Sequence, residues 1–167
     1  MNAAILSACG TYRYSLSRMI ASEARESKPC LFVMLNPSTA DANLDDPTIR
    51  RCVGFAKREG CNWLTVVNLF ALRATDPKQL QAATAMGGDP IGPDNWRHFI
   101  GEIKAHRGGI IIAAWGAHPM ARTMPMHHEA MREAGAVCLG MTKDGAPKHP
   151  LYLKADAPLI PWAGVIP

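Results

Sequence analysis

The sequence lacks any apolar run approaching the ~20 residues that a membrane-spanning helix requires, which excludes helical membrane insertion. It lacks paired cysteines as well. The five that it has, Cys9, Cys30, Cys52, Cys61 and Cys138, are odd in number, include no CxxC pair and lie mostly within apolar runs. That distribution suits free thiols in a reducing compartment and argues against a disulfide framework, a structural metal or an iron–sulfur cluster. The N-terminal MNAAILSACGTYRY has no basic segment ahead of its short apolar stretch, so no secretory signal is expected and the cytoplasm is the expected location. Several catalytic motifs are missing too. Ser38 stands outside any GxSxG context and has no partner base nearby in sequence, which weighs against a serine hydrolase. His127, His128 and Glu129 lack HExxH spacing, and adjacent helical residues point apart, so no metal site is expected there. The loop after the first buried strand is poor in glycine, which removes a dinucleotide or Walker-type cradle, and no cofactor is expected.

What is present is an ordinary globular composition. With 167 residues, 48% hydrophobic and 19% charged, the chain is expected to be a single α/β domain over residues 1–167. At that length a fold buries roughly 70% of the surface of its unfolded chain without staples. A net charge of +4 permits a polyanionic partner without demanding one, and leaves the oligomeric state open.

The stretch 30–55, CLFVMLNPSTADANLDDPTIRRCVGF, organises the rest. Residues 30–35 form a short apolar run bounded by Pro29 and Pro37, the signature of a strand buried on both faces. Pro37 removes a ladder donor and biases Asn36 away from helical angles, so the strand ends at Asn36. A polar loop with Asp41, Asp45 and Asp46 follows, then a helix opened by Asp46 as N-cap and Pro47 in the first turn, closing near Gly60. At helical spacing Ile49, Cys52, Val53 and Ala56 share one arc, and Arg50, Arg51, Lys57 and Arg58 fall on the other side as a basic face.

Further buried strands are expected at 63–70, 109–115 and 136–139, with helices over 77–83, 93–107 and 124–133. Residues 10–19 alternate Tyr12, Tyr14 and Leu16 against Arg13, Ser15 and Ser17, which predicts a half-exposed strand at a sheet edge. Residues 21–28 are polar enough for a loop or strand return, and the proline-rich tail is expected to be irregular but pinned by its apolar residues. Strands alternating with helices imply a three-layer α/β/α sandwich around a central, mostly parallel sheet. Parallel strands bring their carboxyl ends to one edge. That edge would gather Asn36-Pro37-Ser38-Thr39, Asn68 with Arg73, Trp115-Gly116 with His118, and Lys148-His149 with Tyr152.

LFVMLNPSTADANLDDPTIRRC, VVNLFALRATDP, AAWGAH and CLGMTKDGAPKHPLYL resemble the hallmarks of an uncharacterised bacterial and phage family, a domain of unknown function, over nearly the whole chain. More distantly, the order Asn36-Pro37, Asn68, Trp115-Gly116 and His149-Pro150 resembles the uracil-DNA glycosylase superfamily. The chain differs from that pattern at Ser38-Thr39, where glycine is usual, and in HPLYL, which places Tyr152 where a DNA-inserting segment would lie. The resemblance implies that Asn36 holds an attacking water, Asn68 reads a base edge and His149 stabilises the departing base. Pro37, Ser38, Arg73, Trp115, Lys148 and Tyr152 would complete the substrate site. An amide is a poor general base, and Asp41 would serve better if its loop folds inward. Arg50, Arg51, Lys57 and Arg58 would meet nucleic-acid phosphates, although such a face is also what a solvated helix presents. The expected function is therefore hydrolysis at a nucleobase or nucleic acid, with the N-glycosidic bond as the bond the resemblance implies. The alternatives are a non-catalytic nucleic-acid or nucleotide binding module, and a small-molecule hydrolase.

Overall fold

The computed structural model describes residues 2–21 and 27–164. In chain order the elements are β1 (Ala3–Leu6), β2 (Arg13–Met19), β3 (Pro29–Met34), α1 (Pro47–Arg58), β4 (Trp63–Asn68), α2 (Lys78–Ala85), α3 (Asn95–Ala105) and β5 (Ile110–Ala113). A 3₁₀ turn over Pro119–Thr123, α4 (Pro125–Glu133), β6 (Val137–Cys138), a second 3₁₀ turn over Pro150–Tyr152 and β7 (Ile160–Pro161) complete them. Part of the connection expected over 21–28 lies outside the described residues.

All seven strands join one sheet in the order β1-β2-β4-β3-β5-β6-β7. The inner strands β4, β3, β5 and β6 run parallel, and the outer pairings β1–β2, β2–β4 and β6–β7 are antiparallel. Helices cover both faces, which follows from the period-2 alternation of β3. Leu31, Val33 and Leu35 point into one core with Leu80 of α2, Phe99 and Ile103 of α3, and Met131 of α4. Cys30, Phe32 and Met34 point into the other, where Ile49, Cys52 and Phe55 of α1 and Leu153 and Leu159 of the tail pack. A strand buried on both sides has no polar face, which is why its sequence is a continuous apolar run.

Helix α1 begins and ends as its sequence predicts. The Asp46 carboxylate accepts from the Ile49 N–H at 2.9 Å, and Pro47 fills a position with no donor to lose. At the far end Gly60 takes φ 71°, so that Cys61 N–H reaches Ala56 O and Gly60 N–H reaches Lys57 O, closing a Schellman motif.

The strand expected at a half-exposed sheet edge is instead an interior one. β1 pairs outside β2, and both polar and apolar residues of β2 are buried, among them Arg13, Tyr14, Ser15, Leu16 and Arg18. Arg13 and Arg18 are an odd number of residues apart, so plain alternation would put them on opposite faces, yet they bond adjacent carbonyls, Ala40 and Asp41. The β1–β2 register shifts between Ile5 and Leu6, and a bulge there reverses the alternation. Arg13, expected to face solvent, is instead buried and bonds Ala40 O of the 36–46 loop. The tail was expected to be irregular; it contributes the short antiparallel strand β7.

Candidate functional site

A cleft of about 740 Å³ opens at the carboxyl ends of β3, β4 and β5, against the start of α1 and the loop that follows β6. That volume lies within the range of ~300–1,000 Å³ usual for small-molecule sites, and a sheet's carboxyl edge is where parallel α/β folds place them. The cleft brings together Asn36, Ser38, Asn68, Trp115, Gly116, His118, Lys148, His149 and Tyr152, residues that span more than a hundred positions in sequence.

Each is set by its neighbours. Asn36 leaves the end of β3 with its Nδ2 donating to Ala74 O at 2.8 Å and Pro37 O at 3.1 Å. Two carbonyl acceptors use both amide protons and fix which end of the side chain is nitrogen, so Oδ1 is the atom left to accept from a ligand or water. Asn68 closes β4 and is 1% exposed, and neither its Nδ2 nor its Oδ1 has a hydrogen-bond partner among the described residues. Its backbone is clamped by Asn95 of α3, whose Nδ2 donates to the carbonyls of Asn68 and Leu69 at 3.2 and 2.9 Å. A held backbone with a free amide side chain gives one donor and one acceptor side by side.

Trp115 forms an apolar wall, stacked on His128 with ring centroids 5.0 Å apart and meeting Trp162 edge-on at 4.9 Å. Gly116 then turns with φ 79°, a conformation that strains any side chain, and its N–H bonds Pro147 O at 2.9 Å. This bond ties the end of β5 to the Lys148-His149 loop. His149 caps the second 3₁₀ turn, its Nδ1 accepting from the Leu151 N–H at 3.3 Å, so in the neutral ring the proton sits on Nε2. Burial lowers its pKa, against the pull of the Asp46 charge, which favours that neutral Nε2–H donor. His118 caps the first 3₁₀ turn in the same way, through Met120 N–H at 3.4 Å. Tyr152 is 83% exposed and stands at the mouth, its ring 5.5 Å from that of His149.

Other expected site residues lie elsewhere. Asp41 does not line the cleft; its carboxylate closes a local turn by accepting from Asn43 and Leu44 N–H at 2.8 and 3.0 Å, and these bonds hold its pKa below the usual range. Arg18 holds the same loop through the Asp41 and Leu44 carbonyls. Pro37 and Arg73 are also outside the lining: Pro37 O serves Asn36 and Ala74, and Arg73 reaches back to Gly10 O at 3.3 Å. On α1, Arg50 bonds Asp45 O, Arg51 bonds the carbonyls of Pro150 and Leu153, and Arg58 bonds those of Ala155 and Ala157. Arg51 and Arg58 also lie over the Phe55 ring at 5.0 and 5.1 Å. Much of the expected basic face therefore holds down the C-terminal tail, while Lys57 is exposed.

Two charged lining residues were not legible as such. Asp46, expected chiefly as an N-cap, also lines the cleft, and it is the one acidic side chain among the lining residues. Arg13 was read as solvent-facing, but is 2% exposed and forms part of the cleft. The polar-apolar alternation of residues 10–19 carries no local signal for that burial. Burial pushes its pKa down to about 10, partly offset by the attraction of Asp46 and reinforced by repulsion from Arg73, so it stays charged at neutral pH. Among the described residues no cluster of His, Cys, Asp and Glu could hold a metal ion, and no helix is long and apolar enough to cross a membrane.

Fold and site together define an α/β protein with a ligand-sized cleft, mainly apolar with a few polar side chains, at the carboxyl edge of its parallel strands. The family described as "Protein of unknown function (DUF1643)" matches residues 13–151, and the chain belongs to that family. No curated protein and no solved structure matches it.

Proposed function

We propose that the cleft binds a nucleobase and hydrolyses its N-glycosidic bond, in a nucleic acid or a nucleotide, in the manner of the uracil-DNA glycosylase superfamily that the motif order resembles. The observation that carries this is Asn68. A fully buried amide with both polar atoms unbonded costs stability, and it is worth keeping where a ligand supplies the missing donor and acceptor. A base edge presents that pair.

The other residues take roles from their geometry. Cleavage of the C1′–N bond leaves the electron pair on the base and positive charge on the sugar, so the site must stabilise both. His149 Nε2–H donates to the departing base. Asn36 Oδ1, locked toward the cleft, orients the water whose oxygen bonds C1′, and the water's proton leaves to solvent or to the base. Asp46 lies on the same wall and supplies negative charge for the developing sugar cation. Trp115 offers the apolar surface against which a planar ring packs.

The test is release of free base, followed by mass spectrometry, from oligonucleotides and nucleotides carrying uracil, hypoxanthine or hypermodified pyrimidines. Asn36→Ala and His149→Ala should each slow turnover about a hundredfold, the usual loss of a transition-state hydrogen bond in a water-poor site. The accompanying stability loss should be only ~1 kcal/mol, the worth of a cap or a pair of carbonyl bonds. Salt-sensitive nucleic-acid binding with no product over hours would replace hydrolysis with a binding module.

A further inference from the structure

We infer that Arg13 is an anion-receiving residue of the cleft, and that the ligand carries an oxyanion, a phosphate or a carboxylate, which pairs with its guanidinium. The inference deepens the base-site reading and rests on it for the remainder of the ligand, but not for the anion.

The first observation is what Arg13 does not have. Its guanidinium donates to a single acceptor, Ala40 O at 2.6 Å, its Nε has no partner, and no ion pair among the described residues includes it. A planar fork of five donors, almost wholly buried and satisfied by one carbonyl, is charge left uncompensated. The second is where it stands: it lines the same cleft as Asn68, with Lys148 adding a further cation to the lining. The third is its surroundings. Asp46 attracts it but lies beyond ion-pair reach and already accepts from the Ile49 N–H, while Arg73, whose own Nε is buried without a partner, adds repulsion. The loop does not explain the residue either. Arg18 already anchors that loop through Asp45 and the carbonyls of Asp41 and Leu44. One carbonyl bond from Arg13 adds little that a neutral donor could not supply. Arginine is suited to bidentate binding of phosphate or carboxylate, and the cleft is spacious enough for both a base and the group that carries the charge.

The anion has two possible sources: the phosphate of a nucleotide, or an acidic substituent on the base. The wild-type protein should be titrated with uridine and uridine 5′-monophosphate, with uracil and orotic acid, and with inorganic phosphate. Binding is followed by calorimetry and by the ¹⁵N–¹H resonance of Arg13 Nε, assigned by its absence in Arg13→Lys. The charged member of one pair should bind at least about tenfold more tightly than its neutral partner, the increment of one charge-assisted contact. A gain with the monophosphate assigns the anion to phosphate, and a gain with orotic acid to the base. Inorganic phosphate should move the Arg13 resonance, whereas sodium chloride at equal ionic strength should not. Arg13→Met should abolish the gain and Arg13→Lys retain part of it. If Arg13→Met does not fold, the wild-type series and Arg13→Lys decide. Neutral probes bound as tightly as charged ones, a still resonance with every anion, or a gain that survives in folded Arg13→Met overturns the inference and leaves the base site standing. Arg13-dependent binding of the anions without binding of any base supports the inference and removes the base-site reading.

Discussion

Arg13 and Arg18 lie on one strand, are 2% and 4% exposed, and reach neighbouring carbonyls of one loop, yet they are treated in opposite ways. Arg18 pairs with Asp45 at 2.7 Å and donates to the carbonyls of Ser17, Asp41 and Leu44. Arg13 has one carbonyl. A buried charge that is fully met shapes the fold, and one left unmet at the wall of a cleft costs stability for a reason outside the fold. A milder form of the contrast separates Asn95, whose Nδ2 clamps two carbonyls although its Oδ1 has no partner, from Asn68, neither of whose amide atoms bonds anything among the described residues. Arg18 and Asn95 lie outside the lining and hold the backbone beside it, whereas Arg13 and Asn68 line it.

The largest effect should come from breaking the satisfied side. Arg18→Ala strands the Asp45 carboxylate and the Asp41 and Leu44 carbonyls at once, and should destabilise the protein by about 3 kcal/mol, the low end for a broken buried pair because Asp45 is a third exposed. Denaturant titration would measure this as a lowered midpoint with unchanged slope. A loss under about 1 kcal/mol would mean that the loop holds its shape without Arg18, and the contrast with Arg13 would fail.

How far the sequence reveals this contrast depends on the kind of signal. Residues whose position follows from local periodicity were legible: the apolar run of β3, the Asp46–Pro47 start of α1 and its Gly60 stop agree with the structure. So was the gathering of Asn36, Asn68, Trp115 and His149, because parallel strands must present their carboxyl ends on one edge. What escaped depends on non-local facts. The bulge that brings Arg13 round to the cleft arises from pairing with β1, a strand with no alternation of its own to announce it. Asp41 lies outside the lining, in a loop whose carbonyls Arg18 of another strand bonds, a contact no local pattern announces. The cations of α1 formed a clear stripe, but periodicity gives a direction and not a partner, and the partner of Arg51 and Arg58 is the tail about a hundred residues on.

A buried group that can neutralise itself makes a useful third case between the two arginines. His127 packs edge-on to Trp96 and Phe99 at 5.0 and 4.5 Å, and burial, with help from His128, pushes its pKa down to about 4. The unfolded chain, with a pKa near the ordinary 6.5, then binds more protons between these two values. Stability from this group is whole above pH 6.5 and falls as pH drops toward 4, by at most about 3 kcal/mol. His127→Phe should keep the aromatic packing and flatten that part of the pH profile. An unchanged acid limb in the variant would show that other groups, among them His128 and the carboxylates, carry the whole dependence.

The smallest effect is also the sharpest, because its sign differs from that of nearly every core substitution. Asn68→Leu replaces a buried amide by an apolar side chain of similar shape. If Asn68 has no partner within the protein, the exchange removes a desolvation cost and should leave stability unchanged or raise it by up to about 1 kcal/mol. The ligand, by contrast, loses both the donor and the acceptor that would read its edge, so the variant should lose discrimination between bases that differ in that edge while retaining any anion affinity from Arg13. Stability and binding therefore move in opposite directions. Were Asn68 a structural residue, removal of its bonds would leave other buried groups unpaired and cost about 1–3 kcal/mol, with no particular effect on which base is bound. Thermal melting of the two proteins, with and without a panel of free bases, separates these outcomes: a lower melting temperature without ligand would return Asn68 to the fold, and an equal or higher one with the ligand-induced shift lost would keep it in the cleft.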